Sequence, residues 1–196
     1  MIQSSTTDDG SDSNEAEFRR TAILSAVENG HENVVKMLLD IGTNVNVECP
    51  LGWTPLHFAA KRGHVNITRL LMQRGANARA KSNVHDDPPG AARHLTPLML
   101  AAQNGSTEIA KLILDGGGKS TINDQERNGA SALIHSAIKG NLELTKLLIE
   151  NGADVDEKDR NGWTAMKWAI EKGHADVVLF LRSKSSPSEK DRSSEG

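Results

Sequence analysis

A glycine-rich run is the first candidate ligand site in this sequence. Gly116 to Ser120 ends in Gly-Lys-Ser, as a phosphate-binding loop does, but Ile113 stands where that loop requires its first glycine. We therefore interpret the run as a helix end with two inserted residues. No serine, cysteine or pair of carboxylates lies in a recognisable nucleophile motif. We expect no enzyme activity, no cofactor and no metal site.

The aromatic residues indicate a different chemistry, the binding of another protein. The chain has three tryptophans, three phenylalanines and no tyrosine. Four of these residues form two pairs with the same spacing, Trp53 with Phe58 and Trp163 with Trp168. Tryptophan and arginine are enriched at the energetic centres of protein interfaces. The alternative is that the rings only pack against neighbouring turns.

Each aromatic pair lies around a recurring anchor that organises the chain. Thr54-Pro55-Leu56-His57 recurs as Thr96-Pro97-Leu98-Met99, and weaker copies begin at Thr21, Ser131 and Thr164. The anchors are separated by 33, 42, 35 and 33 residues, and a glycine follows each anchor by nine residues. Repetition at this period indicates small units that bury their apolar faces only by stacking on one another.

The unit from Thr54 to Gly75 predicts two short antiparallel helices. Thr54 is a favourable N-cap, and Pro55 fits the first helical turn. Gly63 can end the first helix, and apolar residues at helical spacing continue until Gly75 ends the second. The polar segments before the anchors have the chemistry of turns, and we call these segments fingers.

These residues resemble the ankyrin repeat family, whose signature Thr-Pro-Leu-His-x-Ala is met in full by Thr54 to Ala59. The resemblance covers about residues 16–183. It implies an all-α solenoid with short β-hairpin fingers, built from five repeats at about 16–48, 49–81, 91–125, 126–158 and 159–183. The first, fourth and fifth copies lack the proline after the anchor, so we expect their first helices to start less rigidly.

The resemblance also implies a function, because proteins of this family hold partner proteins in a concave groove lined by the fingers. We therefore expect a non-enzymatic adaptor. An alternative is a recruitment or inhibitory subunit of a larger signalling or ubiquitin-ligase-type complex. The predicted partner-contacting residues are Trp53, Phe58, Leu95, Leu100, Arg127, Asn128, His135, Arg160, Asn161, Trp163 and Trp168.

Composition narrows the class of partner and the compartment. The net charge is −3 over 196 residues, which provides no basic field for nucleic acid or an anionic membrane surface. The sequence has neither an apolar run of membrane-spanning length nor a signal-peptide pattern. The single cysteine, Cys49, fits a reducing compartment. We expect a cytoplasmic protein, with the nucleus as a second location.

Three segments fall outside the repeats. Residues 1–15 and 184–196 are polar with almost no apolar content, so we predict a disordered tail at each end. The 42-residue anchor spacing places an insertion at 82–90, in an elongated finger.

Three histidines have a structural explanation in this organisation. His31, His64 and His174 each follow the glycine that ends a first helix. Packed helices lie about 10 Å apart, whereas a zinc ion needs ligands at about 2 Å, so rings from successive repeats cannot share a metal ion. We expect them to brace loops through hydrogen bonds.

The last repeat differs from the others at one surface position. Six residues after the glycine, four repeats have a basic residue, and the fifth has Leu179. We expect a monomer whose C-terminal edge around Leu179 is either an imperfect cap or a surface that a partner or a second copy covers.

Overall fold

The computed structural model describes residues 11–83 and 94–185, with side chains from residue 15 onward. The predicted tail residues 1–10 and 186–196 and most of the predicted insertion lie outside these ranges. The described residues form ten α-helices and a 3-10 turn at Gly118–Thr121. The helices are α1 (Ser11–Glu28), α2 (Glu32–Asp40), α3 (Pro55–Arg62), α4 (Val65–Gln73), α5 (Pro97–Asn104), α6 (Thr107–Asp115), α7 (Ala132–Lys139), α8 (Leu142–Glu150), α9 (Ala165–Glu171) and α10 (Ala175–Lys184).

The helices form pairs that stack in chain order into two layers. The odd-numbered helices pack side by side from α1 to α9, and the even-numbered helices form the second layer from α2 to α10. Each odd-numbered helix also packs against the even-numbered helix that follows it. The prediction of an all-α helical repeat fold is confirmed. Within the described ranges, no helix combines the length and the apolar character needed to cross a bilayer.

The fingers differ from the prediction, because the described part of the chain contains turns there and no β-strand. In the finger before α3, the Cys49 amide donates to the Trp53 carbonyl at 3.0 Å. The Asp159 amide donates to the Trp163 carbonyl in the same way before α9, also at 3.0 Å. Each of these bonds closes a single turn, and the described fingers contain no ladder of paired strands beyond it.

The first helix is longer than predicted. α1 begins at Ser11, ten residues before its anchor Thr21, and therefore includes residues 11–15, which the sequence analysis assigned to a tail. The segment Ser11–Glu28 contains no glycine or proline. Ion pairs from Glu15 to Arg19 and from Glu17 to Arg20 support its first turns.

Small and branched side chains form the core between successive first helices. Leu56, Leu98 and Leu133, each two residues after its anchor, are at most 1% exposed. Ala59 and Ala101, three positions further on, are fully buried. Because alanine projects only one methyl group, the odd-numbered helices can approach closely along this row.

Two of the three predicted histidine braces are confirmed. The imidazole Nε2 of His64 donates to the Glu28 carbonyl at 3.3 Å, and that of His174 donates to the Ile138 carbonyl at 3.0 Å. His31 is exposed. Gly30 has a φ of +77°, and a Cβ there would lie 2.9 Å from the His64 ring. Glycine therefore ends the helix and makes room for the brace from the next repeat.

His57 fixes the start of α3 from inside the core. The Thr54 amide and hydroxyl both contact its Nδ1, at 3.1 and 2.9 Å, and its Nε2 donates to the Leu95 carbonyl of the next finger at 3.2 Å. The side chain is fully buried. Burial lowers the pKa of His57 to about 4, although the hydrogen bond to Leu95 acts in the opposite direction.

We predict that His57 makes the stability of the protein fall with acidification. Between pH 6.5 and about 4, the unfolded state binds a proton that the native imidazole does not, so the unfolding free energy rises with pH. The stabilising contribution of the neutral imidazole to the unfolding free energy is complete above the ordinary pKa. It reaches about 3 kcal/mol, because each pH unit between the two pKa values contributes about 1.4 kcal/mol. Urea unfolding from pH 4.5 to 7.5 should show a steeper dependence for the wild type than for His57→Met, which copies buried Met99. Equal slopes would contradict this assignment.

We also predict that Leu179→Lys leaves the fold intact. The Leu179 side chain is 69% exposed, so the substitution should change the unfolding free energy by no more than about 0.5 kcal/mol. Light scattering on both proteins tests the predicted association at this edge. A dimer that the substitution abolishes would show that the edge is an interface between two copies, and a monomer in both cases would exclude a second copy at this edge.

Candidate protein-binding surface

The odd-numbered helices present one continuous open side, which we call the first-helix face. It consists of the exposed sides of α3, α5, α7 and α9 together with the fingers that precede them. In α3, Leu56, Ala59 and Ala60 are fully buried, whereas Lys61 and Arg62 are exposed. The same division repeats along the stack, because each helix starts at the same distance from its anchor.

The structure brings most of the predicted contact residues to this face. The finger-tip residues Arg127, Asn128, Arg160 and Asn161 are exposed, and Trp53, Phe58, Leu95, His135, Trp163 and Trp168 are partly exposed. Leu100 is different, because it is only 2% exposed and its side chain belongs to the hydrophobic core. We therefore omit Leu100 from the candidate surface.

Trp163 and Trp168 form one tilted aromatic pair at the C-terminal end of this face. Their ring centroids are 4.7 Å apart at an interplanar angle of 54°. The Trp168 indole Nε1 donates to Oδ2 of Asp159 at 2.9 Å. The Asp159 Oδ1 accepts from the amides of Asn161 and Trp163 at 2.8 and 2.9 Å. One carboxylate therefore fixes the finger turn and the indole ring together.

Asp159 is held as a carboxylate by these bonds. Burial, with only 8% of the residue exposed, favours the neutral acid. The hydrogen bonds from Trp163, Trp168 and Asn161 favour the ion and together outweigh burial, so the pKa of Asp159 is lowered. Near neutral pH the side chain is an ionised acceptor, which makes stronger hydrogen bonds than a neutral one.

A second aromatic pair occupies the same positions in the second repeat, without the acid. The Trp53 and Phe58 centroids are 5.2 Å apart in an edge-to-face arrangement, and Trp53 also stacks on His57 at 5.9 Å. Cys49 stands where the fifth repeat has Asp159. A phenylalanine ring has no N–H group, so an acid at this position would have no indole to accept from.

The fourth repeat has a related polar pair. Glu126 lies five residues before its anchor and His135 four residues after it, and Nε2 of His135 is 3.2 Å from a Glu126 carboxylate oxygen. Gln103 of the preceding first helix contacts both side chains, at 3.4 and 3.1 Å. The three residues link α5, the next finger and α7.

Sequence analysis missed Glu126 and Asp159 as site residues. The signal was available, since in each case an acid stands nine residues before a ring that carries a nitrogen. The missing information was that the finger folds back onto the helix that follows it. No group of three or more histidine, cysteine, aspartate or glutamate side chains in the described ranges is arranged to hold a metal ion.

Neighbouring fingers are joined to one another along the same face. The Arg160 amide donates to the Asn128 carbonyl, and the Asn83 amide donates to the Leu51 carbonyl, both at 2.9 Å. Gly129 has a φ of +80°, and a Cβ there would lie 2.7 Å from the Arg160 amide nitrogen. These bonds join the second finger to the third and the fourth to the fifth, and the close approach of the fourth and fifth fingers depends on glycine.

Comparison with known proteins supports the family resemblance. The family model described as Ankyrin repeats (3 copies) matches residues 5–82, 78–159 and 98–191. The Notch-regulated ankyrin repeat-containing protein of Xenopus laevis is 38% identical over 94 residues, which cover 47% of this chain and 82% of that protein. The human protein of that name is 46% identical over 63 residues, which are 32% of this chain and 55% of the relative.

A third relative is a much larger protein. The potassium channel AKT1 of Oryza sativa subsp. indica is 38% identical over 85 residues, which are 43% of this chain but only 9% of the channel. Because the match covers so small a part of the channel, the similarity does not extend to the activity of the whole channel. Ankyrin repeats are protein–protein interaction modules. With three family matches that together span most of its length, the chain belongs to the ankyrin repeat family.

Proposed function

We propose that this chain is a non-enzymatic adaptor of the cytoplasm or nucleus that binds a partner protein on its first-helix face. The observation that carries the proposal is the Trp163–Trp168 pair, whose rings are partly exposed and held by Asp159. The Trp53–Phe58 pair serves as a second anchor on the same face. Exposed finger-tip residues such as Arg127, Asn128, Arg160 and Asn161 border the anchors.

Fixed aromatic rings suit this role for a thermodynamic reason. Binding costs free energy when side chains must be immobilised at the interface, and a ring already held by packing and hydrogen bonds avoids most of that cost. Partly exposed tryptophans supply large apolar area with few rotatable bonds. The two pairs are three repeats apart, so a partner that touches both would be held along the length of the stack.

The recruitment or inhibitory alternative uses the same face. The frog and human relatives are named as regulated by Notch, and that description belongs to those proteins. For a recruitment or inhibitory subunit, these names favour a signalling complex as the assembly that this chain joins. In that case the captured partner would itself be an enzyme or a subunit of a larger assembly.

We predict that Trp168→Ala and Phe58→Ala each weaken partner binding by about 1 to 4 kcal/mol, because truncating a central aromatic residue removes an anchor. Affinity capture followed by calorimetry with the captured partner measures the loss, and circular dichroism measures the fold. Phe180→Ala is the matched control, since Phe180 is a partly exposed aromatic residue on α10, outside this face. Equal losses in all three variants, or a parallel loss of helical signal, would show that the rings serve only the fold.

We further predict that Asp159→Asn weakens binding through Trp168. An asparagine presents an NH₂ group to one of three N–H donors, so a buried donor loses its acceptor at a cost of about 1 to 3 kcal/mol. Near-ultraviolet circular dichroism should show a reduced signal from the Trp163–Trp168 pair, while the helical signal remains.

The double variant Asp159→Cys with Trp168→Phe is a control for packing, because it copies the Cys49 and Phe58 combination of the second repeat. It should bind better than Asp159→Asn alone.

Because the pKa of Asp159 is lowered, its stabilising effect is present above the ordinary carboxyl pKa and lost as the pH falls through the native value. An unchanged tryptophan signal in Asp159→Asn would remove Asp159 as a positioning residue.

A further inference from the structure

We propose that the segment bound on the first-helix face is acidic, an extended stretch of a partner protein in which aspartate or glutamate residues flank a large apolar side chain. This inference rests on the proposed function, because it specifies the chemistry of the partner at the same surface. It starts from the charges on the helices that form the face.

The helices of the face are basic although the chain is not. The net charge of the whole chain is −3, but α3, α5, α7 and α9, counted with the residue that follows each, contain only one acid, Glu171. The basic residues on the same segments are Lys61, Arg62, Lys139, Lys167 and Lys172. The fingers carry exposed charges of both signs, with Glu48, Asp154 and Asp156 against Arg127, Lys158 and Arg160, so the excess of positive charge that a partner meets lies on the helices.

Three of these lysines are held by aromatic rings. The ammonium groups of Lys61, Lys167 and Lys172 lie over the rings of Trp53, Trp163 and Trp168, at 4.8, 4.5 and 5.8 Å from the centroids. A ring orients an ammonium group but leaves its full charge, whereas a carboxylate would cancel it.

The lysines keep that charge in the described part of the chain. None of Lys61, Lys167 and Lys172 makes an ion pair with a carboxylate there, whereas Arg62 pairs with Glu28 at 2.6 Å. Each aromatic anchor therefore has an oriented cation beside it. A ligand with an apolar side chain next to a carboxylate would satisfy both groups.

Two acids near the anchors, Asp159 and Glu126, are engaged below the surface, whereas Glu48 and Glu171 are exposed. Asp159 is buried and accepts three hydrogen bonds, from two backbone amides and the Trp168 indole. Glu126 contacts His135 and Gln103, and its side chain is 16% exposed. The contacts of Asp159 and Glu126 direct their oxygens toward the protein, so these two carboxylates do not compete with a partner's acids for the lysines.

A cationic ligand fits this face less well. Aromatic rings also attract ligand cations, but here the ring faces of Trp163 and Trp168 already hold the chain's own lysines. A ligand cation would have to displace them and remain near their charges. Like charges at such a distance repel one another, and this cost disfavours a basic or methylated-lysine partner.

The distance between the anchors sets the length of the segment. Lys61 lies in the second repeat, and Lys167 and Lys172 lie in the fifth. With about 10 Å between packed helices, three steps span about 30 Å. An extended peptide rises about 3.3 Å per residue, so about nine residues are needed to contact both ends.

The test is selection from a random library of 12-residue displayed peptides against the full chain, followed by affinity measurements with the best sequences as synthetic peptides. We expect the enriched peptides to be rich in aspartate and glutamate and to contain an aromatic or large aliphatic residue. Their affinity should fall about tenfold or more between 50 and 300 mM salt. Neutral or basic enriched peptides, or no enrichment at all, would overturn the proposal.

Two matched triple variants separate this face from general charge effects. Lys61→Gln, Lys167→Gln and Lys172→Gln together should weaken acidic peptides about tenfold or more. Lys36→Gln, Lys111→Gln and Lys146→Gln remove the same charge from the second-helix layer and should change affinity less than twofold. Equal effects of the two triple variants would overturn the assignment to the first-helix face.

Trp168→Ala distinguishes failure of this inference from failure of the proposed function. Peptides that are not acidic but lose affinity with Trp168→Ala would leave the anchor assignment standing and reject the acidic partner. Acidic peptides that bind Trp168→Ala as tightly as the wild type would reject the first-helix face as the binding surface, and this inference with it.

Discussion

A single helix pair of this chain cannot cover its own apolar side chains, and every other feature of the structure depends on the neighbouring pair doing so. Val34 in the first repeat is 39% exposed, whereas Ile67 and Ile109 at the same repeat position are 2% and 0% exposed. At the other end, Ile170 is 59% exposed and its counterpart Ala137 is fully buried. The stabilising free energy therefore resides largely between repeats, as in other stacked repeat proteins.

Stacking places equivalent positions of successive repeats in similar geometry, so differences in residue type become differences in surface chemistry. The finger position five residues before the anchor contacts the helix position four residues after it in the fourth and fifth repeats. The two positions hold Cys49 with Phe58 in the second repeat, Glu126 with His135 in the fourth and Asp159 with Trp168 in the fifth. The scaffold supplies the geometry, and the residue pair determines whether packing or a hydrogen bond orients the ring.

The charges of the chain are divided between its two layers. In the second layer, Arg69 of α4 pairs with Glu108 of the next repeat at 2.6 Å, and Arg74, directly after α4, pairs with Asp40 of the preceding repeat at 2.8 Å. Exposed pairs of this kind contribute little to stability, but they neutralise the second layer. The first-helix face instead places Lys61 and Lys167 over aromatic rings. The net charge of the chain therefore does not describe the charge of the helices that form its candidate binding surface.

The sequence by itself determined the helix pairs, because their start and stop signals are local. The Thr96 hydroxyl caps α5 by accepting from the Met99 amide, and Gly105 ends that helix with a φ of +84°. It also identified most of the exposed aromatic and finger residues. Only the tertiary structure decided that Leu100 is buried, that the fingers are turns and that Asp159 holds Trp168. Burial and hydrogen-bond partners of these residues depend on how closely successive repeats approach and how each finger folds back. Those distances result from stacking and are not encoded in any single repeat.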